Sequence, residues 1–310
     1  MNTKQRYTTQ RCDTLERRKF VTTLLTAVGG TALSLLPGTG LAASFLNVPV
    51  SVQQVIDLIL KRVPGAPFAQ TVDTIKAGEA NQQVTGIVTT MFATAAVIEK
   101  AAALGANFII AHEPTFYNHT DETTGLQHDP VYAYKAALLK KHNMVVWRFH
   151  DALHAHRPDG VQQGVLAALG WEKYYDAANP RSIILPPTTF QNIITLVKAR
   201  LYIPHVKYVG NLQDRCSKIL LIPGAAGGPM QIANLAKEKP DLLIVGEVNE
   251  WETSEYVRDS RHMGTKTNLL VLGHVQSEEP GLEWLAKWLQ PQLDGIKITH
   301  VPSGDAFDWA

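Results

Sequence analysis

Histidine and carboxylate side chains are concentrated in four short stretches of this 310-residue sequence. The stretches are residues 112–113, 150–156, 247–250 and 274–278. Imidazole and carboxylate groups together bind zinc, iron, manganese and other divalent ions. The residue types therefore predict a metal site, provided that the fold brings the four stretches together.

Two of the stretches have a spacing that suits metal coordination. Three of the chain's 11 histidines lie within the seven residues 150–156, a concentration that metal binding would explain. His274 and Glu278 are four residues apart, so a helix that begins there would present both side chains on one face. The alternatives are a polar surface loop at 150–156 and, at 274–278, a helix start whose glutamate complements the helix dipole.

The other two stretches add carboxylates. His112 and Glu113 are adjacent, and neighbouring side chains of an extended chain point to opposite faces, so this pair could reach two metal ions. Glu247 and Glu250 follow an apolar run and are candidate general acids or bases. The glycine-rich stretch 224–228 resembles a phosphate-binding turn, but it lacks the Walker lysine, and tight turning of the chain is the alternative.

The elements that must position these residues alternate between helix and strand. Hydrophobic periodicity predicts helices over residues 52–62 (with Ser51 as the N-cap), 93–104, 131–142, 161–169, 190–200, 230–237 and 281–289. It predicts strands over 84–90, 107–111, 143–149, 206–209, 218–222, 242–245, 269–272 and 296–301. Each of the four polar stretches follows a predicted apolar strand, and ligands bind at the carboxyl ends of parallel strands in open α/β sheets.

This alternation predicts an α/β fold with two similar halves, each a mixed or mostly parallel sheet flanked by helices, with the metal site between them. The predicted halves are residues 48–180 and 205–310, joined by a connecting segment over 181–204. Residues 102–113 and 236–247 each read as a helix end, a turn, an apolar strand and a terminal glutamate. That similarity favours an internal duplication, and chance likeness between two strand-helix units is the alternative.

The first 43 residues have a different composition. A basic leader containing the pair Arg17-Arg18 precedes an apolar run over 20–36, and small residues near Ala42 and Ala43 offer a processing site. The apolar run is shorter than the roughly 20 residues of a membrane-spanning helix. The pattern resembles a twin-arginine export signal and predicts a periplasmic or secreted protein with no membrane attachment after cleavage. An uncleaved N-terminal anchor is the alternative.

Composition excludes several classes of protein. The formal net charge is +1, with 45% hydrophobic and 18% charged residues, which argues against wholesale disorder. So small a net charge gives no electrostatic footprint for nucleic acid or an anionic membrane. Once the leader is removed, Cys216 is the one remaining cysteine, so an internal disulfide framework is excluded.

The polar stretches also form a recognisable series of motifs. These are H-x-P at 112–114, H-x-x-L-x-A-H at 150–156, G-E-x-x-E at 246–250, G-H-x-x-x-E-x-x-G at 273–281 and P-S-G-D-A-F at 302–307. In this order they resemble the NIF-three-like dinuclear metal-centre proteins, some of which carry the name GTP cyclohydrolase I type 2. The resemblance covers residues 51–309.

The resemblance implies a set of five metal ligands. They are His112, Glu113, His154, His274 and Glu278. Family members usually have His-His-Pro at the first motif and an aspartate where this sequence has His154. Since a histidine has become Glu113 and an aspartate has become a histidine, the number of ligands and their formal charge are retained. A one-residue slip would instead make Asp151 a ligand, and His150 and His156 match family positions that can orient ligands.

The resemblance further implies two divalent ions, of zinc, iron or manganese, and a homohexameric assembly. Two ions can share a hydroxide that attacks carbon or phosphorus, which predicts a metal-dependent hydrolase acting on a C–N or phosphoester bond of a small molecule. Glu250 and Glu247 are its predicted acid–base residues. Cytoplasmic GTP is not the expected substrate of an exported protein. The alternative is a non-catalytic metal-binding or assembly protein.

Overall fold

The computed structural model describes residues 49–310, which form two five-stranded β-sheets flanked by helices. The predicted leader, residues 1–43, lies outside the described residues. The described residues belong to one compact unit. Within that unit, no helix is both long and apolar enough to cross a membrane.

The helices and strands alternate along the chain as the sequence predicts. The helices are α1 (Val52–Leu60), α2 (Ala95–Ala103), α3 (Pro130–Lys141), α4 (Asp151–Ala155), α5 (Gly160–Leu169), α6 (Phe190–Leu201), α7 (Gly228–Glu238), α8 (Glu255–His262) and α9 (His274–Leu289). The strands are β1 (Ile75–Ala77), β2 (Ile87–Thr90), β3 (Phe108–Ala111), β4 (Val145–Arg148), β5 (Ser182–Thr189), β6 (Lys207–Val209), β7 (Arg215–Ile222), β8 (Leu242–Val245), β9 (Asn268–Val271) and β10 (Ile298–His300). Ser51 caps α1 as predicted, in a reciprocal capping box with Gln54.

The first sheet has the strand order β1-β4-β3-β2-β10. Its strands β10, β2, β3 and β4 run parallel, and β1 pairs with β4 in the antiparallel direction. All four residues of β2, of β3 and of β4 are buried. A parallel strand covered on both faces favours a continuous apolar run, which β3 has in full, while β2 and β4 end in the buried polar residues Thr89, Thr90 and Arg148.

The second sheet has the order β5-β7-β8-β9-β6. Strands β7, β8 and β9 are parallel, and the edge strands β5 and β6 are antiparallel to their neighbours. β5 contains Pro186 and Pro187, which cannot donate to a ladder and are tolerated at a sheet edge. The pairing of β5 with β7 changes register between Ile184 and Thr188, around these prolines.

One hydrophobic core joins the inner faces of both sheets. It includes Phe108 and Trp147 of the first sheet, Ile219 and Ile244 of the second, and residues of α1, α5, α6 and α9. Helices α2 and α3 cover the other face of the first sheet, and α7 and α8 cover the other face of the second. Because α5 and α9 are in close contact within this core, each sheet is held in a fixed position relative to the other.

Glycines allow the close approach of α5 and α9. A Cβ atom on Gly164 would lie 2.2 Å from the carbonyl oxygen of Pro280, and one on Gly281 would lie 2.6 Å from the Cα of Val161. Both distances are far shorter than any van der Waals contact. The crossing therefore requires glycine at both positions, and it fixes where α9 enters the core.

The predicted α/β class is confirmed, and the sheets divide the chain differently from the predicted halves. Residues 181–204, predicted to connect the halves, form β5 and α6 of the second sheet. The final strand β10 pairs with β2 of the first sheet, because α9 carries the chain back across the core to the open edge of β2. The predicted boundaries at 180 and 205 therefore do not follow the two sheets.

Candidate metal centre

Three segments of the chain bring histidines and carboxylates into one cluster. His112 and Glu113 follow β3 directly. The short helix α4, which begins three residues after β4, carries His154. His274 is the first residue of α9 and Glu278 lies one turn later on the same face. All five ligands implied by the resemblance lie in this cluster, and its members come from both sheets.

Glu278 lies at the centre of the cluster and is buried. Its Oε2 atom lies 3.0 Å from Nε2 of His274 and 3.5 Å from Nε2 of His112, and its Oε1 atom lies 3.9 Å from Nε2 of His154. One carboxylate thus faces three imidazoles with its two oxygens directed to different sides.

Glu113 is shared between the cluster and a buried arginine. Its Oε1 atom lies 3.2 Å from Nε2 of His274 and 3.8 Å from Nε2 of His150. Its Oε2 atom lies 3.2 Å from Nη2 of Arg148. Because the arginine holds one oxygen, the other is directed into the cluster.

Each imidazole in the cluster is oriented by a partner at Nδ1. The partners are the carbonyl oxygen of Phe149 for His112 (3.1 Å), Asp151 for His150 (2.9 Å), Asp159 for His154 (3.0 Å) and Glu247 for His274 (3.0 Å). These contacts leave every Nε2 atom facing the interior of the cluster. Metal-binding histidines are held in this way by carboxylates and carbonyls.

One of the two ring nitrogens of the buried His112 imidazole lacks a hydrogen-bond partner among the described residues. Nε2 of His112 is fully buried and makes no hydrogen bond with any described residue. A buried polar atom without a partner costs about 1–3 kcal/mol, and a metal ion would remove that cost. The donor set therefore fits a metal ion.

His150 joins the cluster, although the sequence suggested it only as an orienting residue. Donor atoms of His112, His150 and His154 lie within 4.8 Å of one another, as do those of His112, Glu113 and Glu278. The carboxylate of Asp151, in contrast, accepts hydrogen bonds from the Thr71 hydroxyl and the Val72 amide and contacts His150 from outside. The structure therefore does not bring Asp151 into the cluster as the one-residue slip requires.

The cluster stabilises positive charge at its centre. Burial raises the pKa of Glu278, but the adjacent imidazoles of His112 and His274 lower it by more, so it lies well below its usual range. Burial raises the pKa of Glu113, but the hydrogen bond with His274 and the charges of His112, His274 and His150 together lower it by more. Burial opposes the charge on His274, yet its contacts with both carboxylates raise its pKa to about 10. Burial lowers the pKa of His150 to about 4, which favours the neutral imidazole that binds metals.

Comparison with known families agrees with this geometry. The family model described as Duf34/NIF3 (NGG1p interacting factor 3) matches residues 50–304. The chain belongs to the Duf34/NIF3 family. The resemblance inferred from the motifs is thereby confirmed.

Relatives match most of the chain, and solved structures share its fold. A GTP cyclohydrolase 1 type 2 homolog of Clostridium perfringens is 25% identical over 244 residues, covering 76% of this chain and 88% of the relative. A Bacillus cereus protein related to NIF3 matches with a TM-score of 0.69 at 15% identity, and Staphylococcus aureus protein SA1388 with 0.67 at 18% identity. Both matches cover 85% of this chain and 100% of the other structure. The two-sheet architecture is therefore that of the Duf34/NIF3 fold.

Glu247 and Glu250, the predicted acid–base residues, make contacts that the sequence did not predict. Glu247 is the Nδ1 partner of His274, so its carboxylate orients a candidate ligand. Glu250 begins a π-helical turn, Glu250–Ser254, and its exposed side chain pairs with Lys207 at 3.0 Å. The structure does not bring Glu250 to the cluster. His156 also lies outside it, with Nδ1 against the carbonyl oxygen of Pro158 and its ring against Trp284.

The glycine-rich turn packs against the cluster. Gly224 has φ +72°, and a Cβ atom there would lie 2.2 Å from Oε1 of Glu278. The Gly224 amide donates to the hydroxyl of Ser277, which also lies in the first turn of α9. The turn therefore lets the backbone approach Glu278, and the tight-turn interpretation describes it better than phosphate binding.

Three residues that sequence reasoning missed hold the site together. Arg148, fully buried at the end of β4, donates to the carbonyl oxygen of His112 as well as contacting Glu113. Asp159 orients His154. Asp73 accepts hydrogen bonds from the backbone amides of residues 150, 151 and 152 and so fixes the start of α4. Arg148 could have been found from the sequence, because an arginine within an apolar strand is unusual. Asp73 gave no such signal, since its first partner lies 77 residues away in the sequence.

A cavity of about 710 Å³ opens beside the cluster. Its lining includes Glu113, His154 and Glu278, together with the end of β7 and part of the glycine-rich turn. Because the candidate ligands line this cavity, a bound metal ion would be accessible to a small molecule.

Proposed function

We propose that the protein binds two divalent metal ions in this cluster and uses them to hydrolyse a small molecule at a C–N or phosphoester bond. The observation that carries the proposal is the orientation of the imidazoles. All four are fixed at Nδ1 and converge on two carboxylates, and the buried Nε2 atom of His112 makes no hydrogen bond with any residue of the described part of the chain.

The number of donors favours two ions over one. Four imidazoles and two carboxylates exceed the four ligands of a tetrahedral structural site or the three protein ligands of a catalytic zinc. The proposed ligands are the five implied by the resemblance together with His150. Glu278 has one oxygen towards His274 and the other towards His154, so its carboxylate is suited to contact both ions. Zinc, iron and manganese all accept this donor set.

Bound divalent ions would supply Lewis acidity, lowering the pKa of water and polarising the scissile group. The chain's own residues bind and orient. Arg148 holds the outer oxygen of Glu113, and Glu247 holds the imidazole of His274, so both donors keep their direction when a substrate enters. The proposal gives Glu247 this orienting role in place of the predicted acid–base role, and it gives none to Glu250, whose partner is Lys207.

Metal analysis of variants tests the binding step. The parent protein should retain two divalent ions per chain after dialysis, and a protein carrying both His274→Gln and Glu278→Gln should retain fewer than one. Glu283→Gln is the matched control, since Glu283 lies on α9 with an exposed side chain paired to Lys287. Equal metal content in the parent and the double variant would contradict the proposal.

Turnover tests the hydrolase. The metal-loaded protein is screened against nucleotides, cyclic amides and phosphoesters before and after chelation. Hydrolysis that chelation abolishes and metal restores is the expected result. Tight binding of two ions without turnover of any compound would overturn the hydrolase assignment and favour the non-catalytic metal-binding protein.

We also propose that residues 1–43 direct export by the twin-arginine route and that the mature chain forms a homohexamer. The first is supported by the Arg17-Arg18 leader and the second by membership of the family. Fractionation should find the mature chain in the periplasm, and replacing both arginines with lysine should retain it in the cytoplasm. Light scattering of the purified protein should give a mass six times that of the mature chain.

A further inference from the structure

The lining of the cavity beside the metal cluster includes Arg157 and Arg181, neither of which pairs with a carboxylate of residues 49–310. We infer that its substrate is an anionic molecule with an apolar body, whose phosphate or carboxylate group is bound between Arg157 and Arg181. This inference deepens the proposed function and rests on it for the chemistry, but the anion site is built from residues outside the ligand set.

Arg157 is held at the mouth of the cavity by its own loop. Its Nη1 atom donates to the carbonyl oxygens of His154 (3.1 Å) and His156 (3.0 Å). These contacts fix the guanidinium group close to a candidate metal ligand. Within residues 49–310, its Nε and Nη2 groups have no hydrogen-bond partner, and two donors on one edge match the two oxygens of a carboxylate or phosphate.

Arg181 approaches from the second sheet. It lies one residue before β5, and its carbonyl oxygen accepts a hydrogen bond from the Leu221 amide (2.9 Å), so its backbone is fixed to β7. Its side chain is exposed, lines the same cavity and makes no hydrogen bond or ion pair with any described residue. The two guanidinium groups therefore come from different elements and face one space.

Three other arginines of the described chain pair with carboxylates, and the remaining three, Arg62, Arg200 and Arg215, lie outside the cavity lining. Arg148 pairs with Glu113, Arg258 with Glu255 and Arg261 with Asp214. An arginine fork without such a partner is suited to an anion from outside the protein.

The charge of the lining also favours an anion. Its three carboxylates are those of Glu113, Asp159 and Glu278, and all three contact histidines of the cluster. Once two divalent ions are bound, the positive charges of the ions and of the two arginines exceed these three negative charges. A cavity of one charge sign concentrates ligands of the opposite sign.

One part of the cavity lining forms an apolar wall. It consists of residues at the end of β7, in the glycine-rich turn and in α7, namely Leu221, Ile222, Pro223, Ala225, Ala226 and Met230. An apolar or aromatic body would pack on this wall while the anionic group contacts the arginines. The combination of two arginines and an apolar wall excludes a small inorganic anion as the full occupant, because such an anion would leave the wall in contact with water.

Binding of phenylphosphonate to the full, metal-loaded chain tests the inference. Its C–P bond resists hydrolysis, so calorimetry reports binding without turnover. Arg157→Gln and Arg181→Gln should each weaken binding about tenfold, the size of a lost charge-assisted contact, with metal content unchanged. Arg62→Gln is the control, since Arg62 is exposed and outside the lining, and it should bind phenylphosphonate like the parent.

Two further probes sharpen the result. Benzoate should bind more weakly to the same variants if the anionic group is a carboxylate. Whichever of benzoate and phenylphosphonate binds the parent more tightly identifies the natural group. Benzyl alcohol, which has the ring without the charge, should bind the parent and both arginine variants equally. Unchanged phenylphosphonate affinity in both arginine variants would overturn the inference while leaving the metal site standing. A parent that retains no metal or hydrolyses no compound, yet binds phenylphosphonate in a way that depends on both arginines, would overturn the proposed function while this inference stands.

Discussion

Replacing Gly224 with alanine tests whether the glycine-rich turn is required for the Glu278 carboxylate to occupy its position. The new Cβ atom would lie 2.2 Å from Oε1 of Glu278, so either the turn or the carboxylate must move. Gly227 supplies a matched control in the same turn. It also has a positive φ, +82°, but a Cβ atom there meets nothing within 4 Å.

The two substitutions share one cost and differ in another. A non-glycine residue at positive φ costs of order 1 kcal/mol, so Gly227→Ala should lower the melting temperature by about 2–4 °C. Gly224→Ala adds the cost of overpacking, about 1–3 kcal/mol, for a total fall of about 5–15 °C. Because the displaced oxygen belongs to Glu278, Gly224→Ala should also weaken metal binding, and Gly227→Ala should not.

Thermal denaturation and a metal titration measure both effects. The metal-loaded protein should lose more stability than the metal-free protein when Gly224 is replaced, since weaker binding reduces the stabilisation that a ligand provides. Equal melting temperatures and equal metal affinities for the two variants would refute the assigned role of the turn.

Three further outcomes are expected. Asp159→Asn should lower metal affinity about 10–100-fold with little change in the melting temperature of the metal-free protein, because the amide orients His154 less firmly; an unchanged titration would contradict this. In a Cys12→Ser chain, Cys216 should react with a disulfide reagent at pH 8 only after unfolding, since burial raises the pKa of its thiol to about 11; prompt reaction of the native protein would refute the burial argument. In the metal-free protein, the raised pKa of His274 contributes stability that is present in full below about pH 6.5 and is lost as the pH rises through about 10. The midpoint of denaturation should therefore fall over that pH range. The fall should be smaller in His274→Gln.

The parts of the fold that were predictable are those with local signals. The parallel strands β3 and β8 are continuous apolar runs, and Ser51 before α1 is a capping residue whose effect is complete within four residues. The edge strand β5 was missed because its prolines contradict a central-strand pattern. The pairing of β10 with β2 was missed because no local pattern reports which distant edge a strand will join.

The candidate site was predictable to the same extent. Residue type and position at strand ends pointed to the stretches that converge in the structure, while the set of five ligands came from the resemblance. Glu250 has the same kind of position and does not reach the cluster, so these local signals were not sufficient. The partners at Nδ1 were not predictable in this way, since Asp159 and Glu247 acquire their role from side-chain orientation. The distinction between His150, which faces the cluster, and Asp151, which faces Thr71, likewise depends on the turn into α4.

The position of β10 has a consequence for the order of events during synthesis. Thr89 and His300, in contact across the first sheet, are 211 residues apart in sequence, and such distant pairings form slowly. The first sheet cannot be completed while β10 is still inside the ribosomal tunnel. All the candidate ligands, including His274 and Glu278 of α9, are synthesised before β10, so the cluster's side chains are present before the first sheet can close.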